Sequence, residues 1–126
     1  MRYAKIGILD SGVGGLTVAR AIGDAMPSAH LIYFGDTARM PYGDRPPDQI
    51  VRFVREIISF LLDQGVDAIA VACNTSSALA LPAMQGDYDV PIRGMIECGA
   101  VAAVEASRTG RIGVIATANT VRSRAY

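Results

Sequence analysis

The chain has 126 residues, of which 51% are hydrophobic, enough to bury one core and too apolar for a disordered chain. Lysine plus arginine and aspartate plus glutamate each number 12, so no net field holds nucleic acid or an anionic membrane. A small-molecule partner is the expectation that remains.

Met1 leads through Arg2, Tyr3 and Lys5 straight into a strand-like run, with no apolar signal segment. The longest apolar stretch, Val66 to Cys73, is broken by Asp67 and too short to cross a bilayer. A cytoplasmic location is expected. There both cysteines, Cys73 and Cys98, stay reduced thiols. The one histidine, His30, has no cysteine or carboxylate partner at metal-binding spacing, so no metal site is expected.

In chain order, Lys5 to Leu9 reads as a strand meeting Gly12, Gly14 and Gly15, then a helix from Leu16 to Met26 closed by Pro27. Leu31 to Gly35 is a second strand. A polar loop from Asp36 to Asp44 leads to Pro46 and Pro47, residues tolerated at a helix start. Ile50, Phe53, Val54, Ile57, Ile58 and Leu61 then recur at helical spacing up to Gly65, the expected left-handed cap. Ala68 to Ala72 is a third strand, Ser76 to Met84 a helix shortened by Pro82, and Ile92 to Ile96 a fourth strand. Ala100 to Ser107 reads as a helix, Ile112 to Ala116 as a fifth strand, and Thr120 onward as another helix start. Apolar strands alternating with helices predict an α/β fold, a doubly wound parallel sheet whose ligands sit outside the carboxyl ends of the strands. Val121 to Tyr126 begins a helix without a stop signal, so a fragment of a longer protein is expected.

Three loops fall at strand ends. Asp10-Ser11-Gly12-Val13-Gly14-Gly15 with Asp36 could be a dinucleotide turn, but Thr17 stands where the third glycine is needed and Asp10 puts a negative charge where a pyrophosphate would approach. A Walker loop fails because no lysine follows the glycines. The same loop suits an amino acid: Ser11 and free amides donate, and Asp10 accepts from an ammonium or a thiol. The competing reading is a bare turn with a capping aspartate.

Asp36 to Gly43 has the mixture of small, aromatic and proline residues of a pocket-lining loop. Cys73 ends an apolar strand. Taken alone it would be a packed, inert thiol, but Asn74 and Thr75 follow it directly and Ser76 is expected to open a helix whose amino end favours the thiolate. No histidine precedes a strand end where it could activate the thiol, since His30 lies before strand two, so base chemistry is preferred to hydrolysis. Cys98 lacks such neighbours and reads as packing, and Arg108, Arg111, Arg122 and Arg124 as a solvated face.

Four segments carry a family resemblance: Asp10 to Thr17, Asp36 to Gly43, Ala72 to Ala78, and Ile112 to Thr117 continuing through Thr120 to Tyr126. Together, in this order, they resemble the amino-terminal half of the cofactor-independent glutamate racemases, of the aspartate/glutamate racemase superfamily. The resemblance implies two similar α/β domains facing across a cleft, here 1–97 and the beginning of a second at 98–126. It implies one catalytic cysteine from each side and, in the full-length form, a homodimer. Glutamate is the implied small-molecule substrate and peptidoglycan precursor supply the implied role.

By resemblance Cys73 is the thiol on the D-glutamate face, Asp10 its polar helper, and Ser11, Asn74 and Thr75 substrate ligands. Pro41, Tyr42 and Gly43 match the pocket wall, and Thr117 and Thr120 the far domain's contribution. The family's second Cys-Thr-His block does not occur in this sequence, so the chain alone is expected to be inactive. A single-thiol decarboxylase of the same superfamily is the alternative enzyme reading, and a nucleotide-binding domain the alternative from another class.

Overall fold

The computed structural model describes residues 4–126; the reading of Met1, Arg2 and Tyr3 as free of a signal segment lies outside them. Four parallel strands, β1 (Lys5–Asp10), β2 (His30–Gly35), β3 (Ala68–Val71) and β4 (Ile92–Gly94), form one sheet in the order β2-β1-β3-β4. Between and after them run α1 (Leu16–Ala25), α2 (Pro47–Asp63), α3 (Asn74–Leu79), a 3₁₀ turn at Leu81–Met84, α4 (Ile96–Ala106) and α5 (Ala118–Ser123). The expected doubly wound α/β sheet is therefore present.

The strongest periodicity in the sequence makes the best-packed helix. Ile50, Phe53, Val54, Ile57, Ile58 and Leu61 all lie buried on one face of α2, against Leu9, Val66, Ile69 and Val71. Each such side chain contributes about 2 kcal/mol over its exposed state. Pro47 opens the helix, where its missing N–H costs nothing, and Gly65 at φ 71° follows its end in the left-handed region. Right-handed crossovers place α1 on one face of the sheet and α2 and α3 on the other. Neither α1 nor α4 has a buried residue.

Three expectations need correction. Ile112 to Ala116 is not a strand: no strand pairs with it among the described residues, Val114 is 50% exposed and Ile115 fully so. Apolar, β-branched composition does not make a strand without a neighbour to receive its hydrogen bonds. The helix expected over Ser76 to Met84 breaks into α3 and the 3₁₀ turn, because Pro82 has no N–H to continue an α-helical ladder. The fourth strand stops at Gly94 and α4 begins at Ile96, four residues earlier than expected. Gly94 is needed there: a Cβ would stand 2.8 Å from Ser77 Cβ and 2.7 Å from Leu81 Cδ1.

Candidate active site

The chain leaves β1 toward one edge of the sheet and returns to β3 on its other side. This change of direction opens a crevice above the carboxyl ends of β1 and β3. Asp10 ends β1, and Cys73 follows β3 by two residues. Ala72 N–H donates to the Leu9 carbonyl at 2.8 Å, tying the two strand ends together.

Cys73 is 7% exposed and is itself the N-cap of α3, which begins at Asn74, two residues earlier than the sequence predicts. Its Sγ accepts from the Ser76 N–H at 3.4 Å. The turn around it is pinned by the Ser77 hydroxyl, which donates toward the carbonyls of Val71 and Cys73, both at 2.9 Å, and accepts from Met95 N–H at 3.1 Å.

Asp10, 6% exposed, accepts from Gly15 N–H at 2.9 Å and from the Tyr33 hydroxyl at 3.1 Å, both on Oδ2. The amide nearest a would-be phosphate is thus already taken by a carboxylate. Asp36, the other residue of the dinucleotide reading, accepts from Arg39 Nε at 2.7 Å and from the Tyr42 hydroxyl. Arg39 in turn donates to Glu56 and lies over the Phe53 ring. Both features of the nucleotide reading are therefore consumed within the protein.

Burial first, then the hydrogen bond to Asp36 and its charge, raise the Tyr42 phenol far above its ordinary range. Tyr33 is pushed up to about 12, by burial first, then by the charge of Asp10, the hydrogen bond to it, and the charge of Cys73. Both phenols are hydrogen-bond donors at neutral pH.

The last helix closes the site from the far side. The Thr75, Thr117 and Thr120 hydroxyls form a triangle with sides of 2.8, 3.0 and 3.2 Å. Asn119 clamps the loop from Asp36 to Arg45: its backbone N–H donates to Gly43 O at 3.3 Å, and its side-chain amide to Arg45 O at 2.8 Å and Tyr42 O at 3.4 Å. Contact with Thr117 is so close that a Cβ at Gly43 would lie 3.0 Å from the threonine's Cβ. Tyr126 donates to the Asn74 side-chain carbonyl.

The structure thus sets Asp10 and Cys73 at adjacent strand ends, with Asn74 following Cys73, links Thr75 to Thr117 and Thr120, and brings Gly43, next to Tyr42, against Thr117. Ser11 is half-buried on the same loop as Asp10, and Pro41 is exposed next to Tyr42. Tyr33, Arg39, Asn119 and Tyr126 were not singled out by sequence. His30 is exposed at the start of β2, at the opposite end of the sheet, and Cys98 is exposed on α4. A cavity of about 1230 Å³ lies away from this crevice, between α1, α4 and the β3–β4 edge, and its walls include neither Asp10 nor Cys73. Among the described residues no group of histidine, cysteine and carboxylate side chains is arranged to hold a metal, and no helix is long and apolar enough to cross a membrane.

Residues 16–126 match the family model for Asp/Glu/Hydantoin racemase. A glutamate racemase from Desulforudis audaxviator is 51% identical over 126 residues, the whole of this chain and 46% of the relative. The solved glutamate racemase of Aquifex pyrophilus superposes with a TM-score of 0.93 at 52% identity, over 97% of this chain and 48% of that one. A glutamate racemase from Francisella tularensis, solved in complex with D-glutamate, superposes with a TM-score of 0.87 at 41% identity, over 98% of this chain and 46% of that one. The chain spans about half the length of the curated relatives it matches. With its fold, its crevice and these relatives in agreement, the chain belongs to the Asp/Glu/hydantoin racemase family.

Proposed function

We propose that this chain supplies one half of a glutamate racemase, in which Cys73 exchanges the α-proton on the D-glutamate face. The observation that carries the reading is the thiol at the switch point of the sheet, accepting from Ser76 N–H, with Asp10 at the neighbouring strand end and Thr75 bonded to Thr117 and Thr120 at the start of α5. Residues 1–97 form the first domain in this reading and 98–126 the start of the second.

Inverting the α-carbon takes a base on one face and an acid on the other, because a single thiol returns the proton where it came from. A second thiol from a partner domain is therefore part of the proposal, and Cys98, exposed on α4, is not that thiol. The α-carbanion is carried without a pyridoxal group, so oriented donors to the substrate carboxylate must stabilise it. Ser11, Asn74 and the hydroxyls of Thr75, Thr117 and Thr120 are the candidates. Within their triangle the three hydroxyls satisfy one another, and by rotating they present donors to a carboxylate without any backbone movement. Asp10 accepts from the substrate ammonium, while Pro41, Tyr42 and Gly43 form the pocket wall. The loop they belong to is braced by Asp36 and Asn119. Supply of D-glutamate for peptidoglycan, a cytoplasmic location and a homodimer of the full-length protein complete the reading.

Circular dichroism of L- and D-glutamate solutions tests it. The 126-residue chain is expected to leave the signal unchanged, and the same chain joined after Tyr126 to the second half of the Aquifex pyrophilus relative to interconvert the enantiomers. Turnover by the chain alone, lost on Cys73→Ala, would refute the need for a second thiol; carbon dioxide release from an α-disubstituted malonate would instead favour the single-thiol decarboxylase.

A further inference from the structure

In the parallel pairing of β1 and β2, Asp10 lies opposite Gly35 and Ile8 opposite Tyr33. Tyr33 is thus the diagonal neighbour of Asp10, two residues back on the same strand face, a separation an aromatic side chain can span. Gly35 leaves the path clear: a Cβ there would lie 3.2 Å from Tyr33 Cε1 and 2.4 Å from the Gly12 carbonyl oxygen. The Tyr33 hydroxyl ends 3.1 Å from Asp10 Oδ2 and 3.1 Å from Gly12 O, with one proton for the two acceptors.

Both donors to Asp10, Tyr33 and Gly15 N–H, converge on Oδ2, and no donor among the described residues reaches Oδ1. Nor is Oδ1 a buried orphan, since Ser76 Oγ is the one fully buried side-chain polar atom without a partner among those residues. Oδ1 therefore keeps some contact with solvent.

We infer that Tyr33 is the positioning residue of Asp10: its hydroxyl commits Oδ2 to the protein and so leaves Oδ1 as the acceptor offered to the substrate ammonium group beside Cys73. The role of Oδ1 rests on the glutamate reading; the hold of Tyr33 on Asp10 does not. The charged groups acting on the phenol are Asp10, from the end of β1, and Cys73, from the end of β3. Because the phenol stays protonated up to about pH 12, it keeps this hold throughout the physiological range.

Two measurements on the 126-residue chain separate the two claims. Followed by the 13C resonance of its ζ carbon, Tyr33 is expected to titrate near 12 and, in Asp10→Asn, to move down toward the ordinary 10.0 while burial keeps it above that value. A tyrosine that Asp10 does not act on would titrate identically in both proteins, and that result would overturn the inference. In the second measurement D-glutamate is added while the amide signals of Asn74 and Thr75 are followed. Tyr33→Phe, which keeps the ring, is expected to weaken binding about tenfold, the loss of one hydrogen bond to a charged group. Equal affinity of Tyr33→Phe and the unsubstituted chain would overturn the positioning role. Absence of any saturable shift in the unsubstituted chain would overturn the role of Oδ1 in this half of the site, and the titration would still decide whether Tyr33 holds Asp10.

Discussion

In the joined protein, Cys73→Ala is expected to lower kcat/KM for racemisation in both directions by about 10³-fold or more, the range associated with removing a positioned acid or base. Both directions suffer because each turnover needs this thiol, as base for one enantiomer and as acid for the other. The melting temperature should barely move. Cys73 Sγ receives a single 3.4 Å bond from Ser76 N–H, and the turn is held independently by Ser77 through Val71 O and Cys73 O. Cys98→Ser is the control: exposed on α4 and bonded only to backbone carbonyls of its own turn, it should leave the rate unchanged. A rate that survives Cys73→Ala within a factor of about ten would remove the thiol from the chemistry.

Gly15→Ala is expected to destabilise the chain by about 3 kcal/mol, the upper part of the range for overpacking a tight site. A Cβ at Gly15 would lie 2.7 Å from Ala72 Cβ, 2.9 Å from Asp10 Cβ and 3.1 Å from Asp10 Cγ. None of these atoms is the free end of a flexible side chain, so the ends of β1 and β3 must part. The Gly15 N–H bond to Asp10 then lengthens as well, and the site is damaged together with the fold. Thermal unfolding should show a melting temperature lower by about 10 °C. Gly14→Ala, whose Cβ would meet nothing within 4 Å, should stay within about 0.5 kcal/mol of the unsubstituted chain. Equal losses at the two positions would mean that the cost is loop entropy and not the close approach.

These two glycines look alike in the sequence, and only the packing tells them apart. What could be read directly were features set by local periodicity: the apolar stripe of α2 at Ile50, Phe53, Val54, Ile57, Ile58 and Leu61 was legible residue by residue. Alternation of helices with short apolar strands gave the doubly wound sheet, and that topology alone sends Asp10 and Cys73 to one crevice. The misread elements were those decided by long-range partners. Ile112 to Ala116 has strand composition and no neighbouring strand among the described residues. The thiol of Cys73 caps α3, a role usually taken by an oxygen, so sequence reasoning placed the helix start at Ser76. Tyr33 and Asn119 act through partners 23 and 74 residues away, Asp10 and Arg45. A signal for Tyr33 did exist: a tyrosine two residues before a glycine at a strand end, beside a strand ending in aspartate, has room to lean across.

In the proposed mechanism Cys73 is one of two thiols acting on opposite faces of the α-carbon. Racemisation of L-glutamate by the joined protein in deuterium oxide tests it most directly, with the α-hydrogen of product and unreacted substrate followed at early times. D-glutamate is expected to carry solvent deuterium from the first turnovers while the L-glutamate pool keeps its proton, and no product is expected when Cys73 is replaced by alanine. D-glutamate that retains the substrate's own α-proton, or product formation undiminished by Cys73→Ala, would contradict it.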